Sequence, residues 1–192
     1  YAANAKGPHD VFRKSVDGTR AAELMYEAPG MQKPASVSRD GKVLLVNSEV
    51  DERNVLVVVD LATGRARRLR EGPWSDGHGS LSPDGRWLLF ESDETGRPEI
   101  YVTPFPGPGR TFPVSTDGGR NPDWRGDGRE VVYAALDGRV LAAPAFPEGD
   151  TFRVGAERAN RIDLLRHRHR AELCRHARGD AAGDDERRQR GG

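Results

Sequence analysis

Cysteine is almost missing: Cys174 is the single one in 192 residues. An internal disulfide framework is therefore excluded, and so is a zinc site built from several thiolates. Net charge is missing too, with 30 basic against 30 acidic side chains, so no bulk field draws the chain to nucleic acid or to an anionic membrane surface. The longest apolar run, Val55 to Val59, is strand-sized, far short of the roughly 18 residues that a membrane-spanning helix needs. Apolar positions at helical spacing are not sustained anywhere, which excludes helical repeats. Enzyme signatures are also lacking. There is no Gly-x-Ser-x-Gly elbow, no phosphate-binding glycine loop, and neither His-Arg-Asp nor Asp-Phe-Gly. The expectation is a chain with no catalytic residue, no cofactor and no metal.

Turn residues, by contrast, are plentiful: Gly 23 and Pro 13 make nearly a fifth of the chain, as in proteins made of many short strands. They fall in a repeat. One cassette recurs three times: Val37-Ser38-Arg39-Asp40-Gly41-Lys42-Val43-Leu44-Leu45-Val46, then Leu81-Ser82-Pro83-Asp84-Gly85-Arg86-Trp87-Leu88-Leu89-Phe90, then Trp124-Arg125-Gly126-Asp127-Gly128-Arg129-Glu130-Val131-Val132-Tyr133. The three aspartates are 44 and 43 positions apart. Each cassette reads as a strand, a tight turn and a second strand. Asp40, Asp84 and Asp127 are placed to bond backbone N–H groups two residues on, while Gly41, Gly85 and Gly128 supply the positive φ of the turn. A third strand follows at matching distance, with Leu56 and Ile100 44 apart and Val11 45 before Leu56. Further turns at Asp17-Gly18-Thr19, Ala62-Thr63-Gly64-Arg65 and Gly107-Pro108-Gly109 lead into fourth strands. Four strands in each repeat of about 43 residues is the arithmetic of a β-propeller blade.

The phrase Leu81 to Ser92, continuing through Gly96-Arg97-Pro98-Glu99-Ile100-Tyr101-Val102, resembles the WD-like repeats of TolB-type six-bladed propellers. With Pro104-Phe105-Pro106-Gly107, Val114-Ser115-Thr116-Asp117-Gly118-Gly119 and Gly149-Asp150-Thr151-Phe152-Arg153, it is similar to the C-terminal propellers of bacterial eukaryotic-like serine/threonine protein kinases. This resemblance implies a module that senses or scaffolds, binds a protein or small ligand, and lies on the extracytoplasmic side of a bacterial membrane or in the periplasm.

The fold class expected is all-β: an open, partial propeller over residues 1–157, with half a blade at 1–26 and blades near 33–70, 77–115 and 119–154. A six-bladed ring needs about 250 residues at this repeat length, so closure is not expected, and the open blade faces invite self-association. Because the sequence starts at Tyr1 without a signal-peptide pattern, it reads as a piece of a longer protein. Composition changes after residue 157. Residues 158–192 hold ten arginines, no lysine, no aromatic residue and six acids, and are expected to be a disordered or short-helical tail, read out of frame. A kinase whose catalytic domain lies upstream is the parent that the resemblance implies first; a TolB-like periplasmic interaction protein and the regulatory propeller of a prolyl-oligopeptidase-type serine peptidase are the two alternatives.

Gly72-Pro73-Trp74-Ser75-Asp76-Gly77-His78 is the candidate ligand or partner loop, since an aromatic, an acid and an imidazole come together where one blade passes to the next. Plain loop packing competes with that reading. Trp87 and Trp124 are read as packing residues. His167, His169, Cys174 and His176 in the tail have no supporting carboxylate and are not read as metal ligands. The acidic links Glu49 to Glu52 and Asp93 to Gly96 lack the alternating oxygen pattern of a calcium loop and are read as turns.

Overall fold

The computed structural model describes residues 1–3, 9–107 and 109–159, and their regular structure is entirely β. Sixteen strands form four antiparallel sheets. The first sheet has β1 (Ala2–Ala3), β2 (Asp10–Arg13) and β3 (Glu23–Tyr26) in sequential order. The second is the meander β4 (Gln32–Val37), β5 (Val43–Val50), β6 (Arg53–Asp60) and β7 (Ala66–Arg68). The third repeats it with β8 (Asp76–Leu81), β9 (Trp87–Ser92), β10 (Glu99–Pro104) and β11 (Phe112–Pro113). The fourth has β12 (Arg120–Trp124), β13 (Glu130–Ala134), β14 (Val140–Glu148), β15 (Thr151–Val154) and β16 (Arg158–Ala159). This is an open arc of propeller blades. The leading part-blade has three strands, β1 being only two residues long.

Why these residues form blades follows from which way each side chain points. Neighbouring residues of a strand face opposite sides of the sheet, and here both sides are covered. Leu44 and Val46 of β5, with Val57 and Val59 of β6, face the first sheet and pack with Val11. Leu45 and Phe90, with Leu56, Val58, Leu81 and Leu88, fill the space between the second and third sheets. Trp87 and Leu89, with Ile100, Val102, Val131 and Tyr133, fill the space between the third and fourth. Two-sided burial is why the strands read as unbroken apolar runs rather than as alternating ones.

The first strands of successive sheets pack directly against one another and form the inner edge of the arc. Leu81 N–H donates to Ser36 Oγ at 3.5 Å and Ser80 Oγ donates to Asp123 at 2.8 Å. Each inner strand carries a register break, at Pro34/Ser36, Gly77/Ser80 and Arg120/Asp123. At the other edge, β15 and β16 are one strand interrupted by one extra residue, since Ala145 pairs with Val154 but Ala142 with Arg158. Gly155 N–H donates to Pro144 O at 2.8 Å, and Tyr133 Oη donates to Glu157, spanning that bulge. β16 thus takes up Arg158 and Ala159, two residues that the composition shift assigns to the tail. The expectations for 160–192, including those for His167, His169, Cys174 and His176, lie outside the described residues. Among the described residues no helix is long and apolar enough to cross a membrane.

Candidate functional site

The repeated aspartates are engaged within their own turns. Asp40, Asp84 and Asp127 each accept, through Oδ1, the backbone N–H two residues on, from Lys42 at 3.1 Å, Arg86 at 3.1 Å and Arg129 at 3.0 Å. Gly41, Gly85 and Gly128 close these turns with φ of 70°, 73° and 70°. Ser38 and Ser82 add a second tie, donating to Asp40 and Asp84 at 2.6 and 2.5 Å and accepting from Val43 and Trp87 N–H. The Ser38 hydroxyl and the Lys42 amide hold the Asp40 carboxyl below the usual range. At Asp84 burial works the other way, but the Ser82 and Arg86 donors outweigh it and the shift is again downward. In the third turn Arg125 stands where the others have serine.

The Trp74–His78 segment divides in two. Only Trp74 and Ser75 lie in the connection; Asp76 opens the inner strand β8, and His78 stands two residues along it. This corrects the single-loop expectation. The physical reason is the Gly77-His78-Gly79 run, which lets β8 begin early and bulge away from β9. Asp76 is buried. Its Oδ1 accepts from Arg70 at 3.3 Å, and its Oδ2 from the Trp74 indole Nε1 at 3.3 Å. The Arg70 guanidinium also pairs with Glu94 and lies 5.0 Å from the Trp74 ring and 5.1 Å from the Phe90 ring. Burial pushes the Asp76 carboxyl above its usual range, against the pull of Ser92, Arg70 and Trp74. Trp74 and Asp76 therefore join a clasp between the second and third blades, in which Arg70 and Glu94 are the members that sequence spacing missed.

His78 is exposed and makes none of the contacts of that clasp. Its φ is 51°, and Asn121, 43 positions on at the same place in β12, has φ 52°. Both bulges are braced by the preceding blade: Asn47 Oδ1 accepts from Gly79 N–H at 3.5 Å, and Glu91 from Asn121 N–H at 3.1 Å. Lys33 and Pro34 hold the corresponding places in β4, and Lys33, Pro34, His78, Arg120 and Asn121 are all exposed. The inner edge thus presents a row of basic and amide side chains on a braced backbone. The signal for the row was already in the sequence, as positions related by the 43- to 44-residue period.

A concavity lies at the turn end of the third and fourth blades. This cleft of about 480 Å³ is lined by the turns at Ser82–Asp84 and Gly126–Arg129, by Trp87 and Trp124, and by Arg39. Trp124 Nε1 donates to Ser80 O at 3.0 Å, and Trp87 is 2% exposed, so both indoles are packing groups that form its floor. Among the described residues no group of His, Cys, Asp and Glu has the arrangement of a metal centre.

Comparison with known proteins agrees with this architecture. The family described as the TolB beta propeller domain matches residues 1–149. The Tol-Pal system protein TolB of Wolinella succinogenes is 28% identical over 119 residues, which cover 62% of this chain and 28% of that protein. A TolB-like structure from Agrobacterium tumefaciens superposes with a TM-score of 0.66 at 20% identity, covering 81% of this chain and 60% of that one. TolB of Acinetobacter baumannii superposes with a TM-score of 0.61 at 20% identity, covering 80% and 39%. The chain thus spans little more than a quarter of the curated relative that it matches.

Proposed function

The chain belongs to the TolB β-propeller family, and from that premise we propose that it is a non-catalytic interaction module whose inner edge docks a protein or small ligand. The observation that carries this reading is the row at Lys33, His78, Arg120 and Asn121. Across two adjacent places of the inner strand, each of three successive blades exposes a polar side chain, Lys33 in the second, His78 in the third, and Arg120 with Asn121 in the fourth, while Pro34 and the buried Gly77 fill the remaining positions. Two of these positions hold non-glycine residues at positive φ, a conformation that persists only where the surroundings enforce it. Lys33 at one end of the row, and at the other the exposed Arg120, whose guanidinium also meets Glu91 at 3.5 Å, favour an acidic partner segment.

Likeness to TolB supports, within the same proposal, a periplasmic or otherwise extracytoplasmic site and a role in a Tol-Pal-type system. The finer assignment to a serine/threonine kinase parent is supported by the Pro104 to Gly107 resemblance. Gene sequence on either side of this frame decides among the parents: an upstream kinase domain, an upstream signal peptide, or a downstream hydrolase with its nucleophile elbow. Association of copies through the open blade faces belongs to the same proposal and is read by light scattering.

The docking face is tested by placing a photo-crosslinker at position 78 and, as controls, at Arg67 and Thr151 on outer strands. A captured protein is then purified and titrated against wild type and the Lys33→Glu/Arg120→Glu double variant. Binding at least tenfold weaker in the variant, about 1.4 kcal/mol, is the expected result. Equal capture at positions 67 and 151, or unchanged affinity, removes the inner edge from consideration.

A further inference from the structure

Three buried side chains at the junction of the first two sheets keep oxygens that meet no donor: both carboxylate oxygens of Asp10, the amide oxygen Oε1 of Gln32, and Ser48 Oγ. Their residues are 1%, 0% and 0% exposed. Backbone pairing sets them in one row. His9 bridges Met31 in parallel, with Gln32 N–H donating to His9 O at 3.0 Å, so the next residues, Asp10 and Gln32, point the same way. Gln32 in turn is the register partner of Ser48, on the same face of the second sheet. The Gln32 amide is oriented by its other end, because Nε2 donates to Ala28 O at 3.3 Å and Pro29 O at 3.0 Å. Oε1, at the opposite side of that amide, is left without a donor.

The same place two blades on shows what Asp10 lacks. Pro98 O accepts from Gly119 N–H at 2.9 Å as His9 O does from Gln32, which makes Glu99 the counterpart of Asp10. Glu99 is fully provided: Ser115 Oγ donates at 2.5 Å, Gly118 N–H at 2.9 Å and Arg97 Nε at 2.8 Å. Asp10 is one methylene shorter, and Tyr26 stands sixteen residues on where Glu99 has Ser115. No cationic side chain pairs with Asp10 among the described residues. Ser48, which can donate, hydrogen-bonds to neither neighbour.

We propose that Asp10, Gln32 and Ser48 form a buried site for a monovalent alkali cation, sodium or potassium. Carboxylate, amide carbonyl and hydroxyl oxygens are hard ligands of the kind that such ions take. Charge selects the valence: one carboxylate cancels a single positive charge, whereas a divalent ion leaves a net charge among side chains that are no more than 1% exposed. The ion does for Asp10 what three donors do for Glu99, and it ties the first sheet to the second.

Thermal unfolding of the full 192-residue chain in sodium, potassium and choline chloride at equal ionic strength tests the site, choline being too large to enter it. A melting temperature about 3 °C higher in sodium or potassium than in choline is expected for a site near saturation. The same series on Asp10→Asn, which keeps the volume and removes the charge, is expected to show no ion dependence. Identical melting of the wild type in all three salts overturns the proposal, as does an ion dependence that survives in Asp10→Asn. Millimolar calcium that stabilises where sodium does not overturns the monovalent assignment. Should Asp10→Asn fail to fold, sodium NMR line widths on the wild type decide: broadening relieved by excess potassium supports the site, and its absence refutes it.

Discussion

Asp84 and Asp76 stand eight residues apart, yet their surroundings move their carboxyl groups in opposite directions. Asp84, like Asp40, is held below the ordinary value of 3.8 by hydroxyl and amide donors. Its contribution to stability is present above that value and is lost as the pH falls through the depressed one. Asp76 is raised by burial, so the folded chain takes up its proton before the unfolded chain does, and its contribution falls as the pH rises from 3.8 through the raised value. Asp84→Asn is expected to cost about 1 kcal/mol at neutral pH and nothing once the carboxylates are protonated. Asp76→Asn is expected to flatten the opposite slope. Urea unfolding across the acid range measures both, and parallel pH profiles for the two variants would contradict the assignment.

Between elements, the Arg70 clasp and the approach at Gly79 are the places where one blade registers on the next. Arg70→Met leaves Asp76 and Glu94 facing each other without their cation. The loss expected is about 2 kcal/mol, less than for a fully buried pair because Arg70 and Glu94 keep some solvent access. Adding Asp76→Asn and Glu94→Gln should restore most of it, and a triple variant no better than Arg70→Met would show that packing, not charge, is at stake. A Cβ added at Gly79 would lie 2.5 Å from Leu45 Cδ2 and 2.9 Å from Leu56 Cδ2 of the preceding blade. Gly79→Ala is accordingly expected to cost about 1–3 kcal/mol by overpacking, read as a lower urea midpoint. These contacts also mark how far the sequence could be read. The Asp-Gly turns and the apolar runs announce the blades, because the period places them without knowledge of tertiary contacts. Arg70, Glu94 and Asn47 carry no such mark, because their partners lie one blade away and any exposed strand could hold such residues. His78 was visible as a residue, whereas its separation from Asp76 depends on a bulge that only the pairing with β9 reveals.

For the whole molecule, order is set by how much each junction buries. The space between the third and fourth sheets holds Trp87, Tyr133, Ile100 and Phe152 among its closed side chains, whereas that between the first and second rests mainly on valine and leucine. Amide hydrogen exchange is therefore expected to be slowest in β9, β10 and β13 and fastest in β1 to β3, in the graded manner of repeat proteins. Uniform exchange across all four sheets would point instead to a single cooperative unit. Each central strand acts as a party wall, its odd residues owned by one neighbour and its even residues by the other. Deleting Leu88 would carry every later residue of β9 to the opposite side, setting Phe90 against the fourth sheet and Leu89 against the second. Inserting a complete repeat at a connection would leave every wall as it was, so length changes in such chains should be tolerated by the blade and not by the residue.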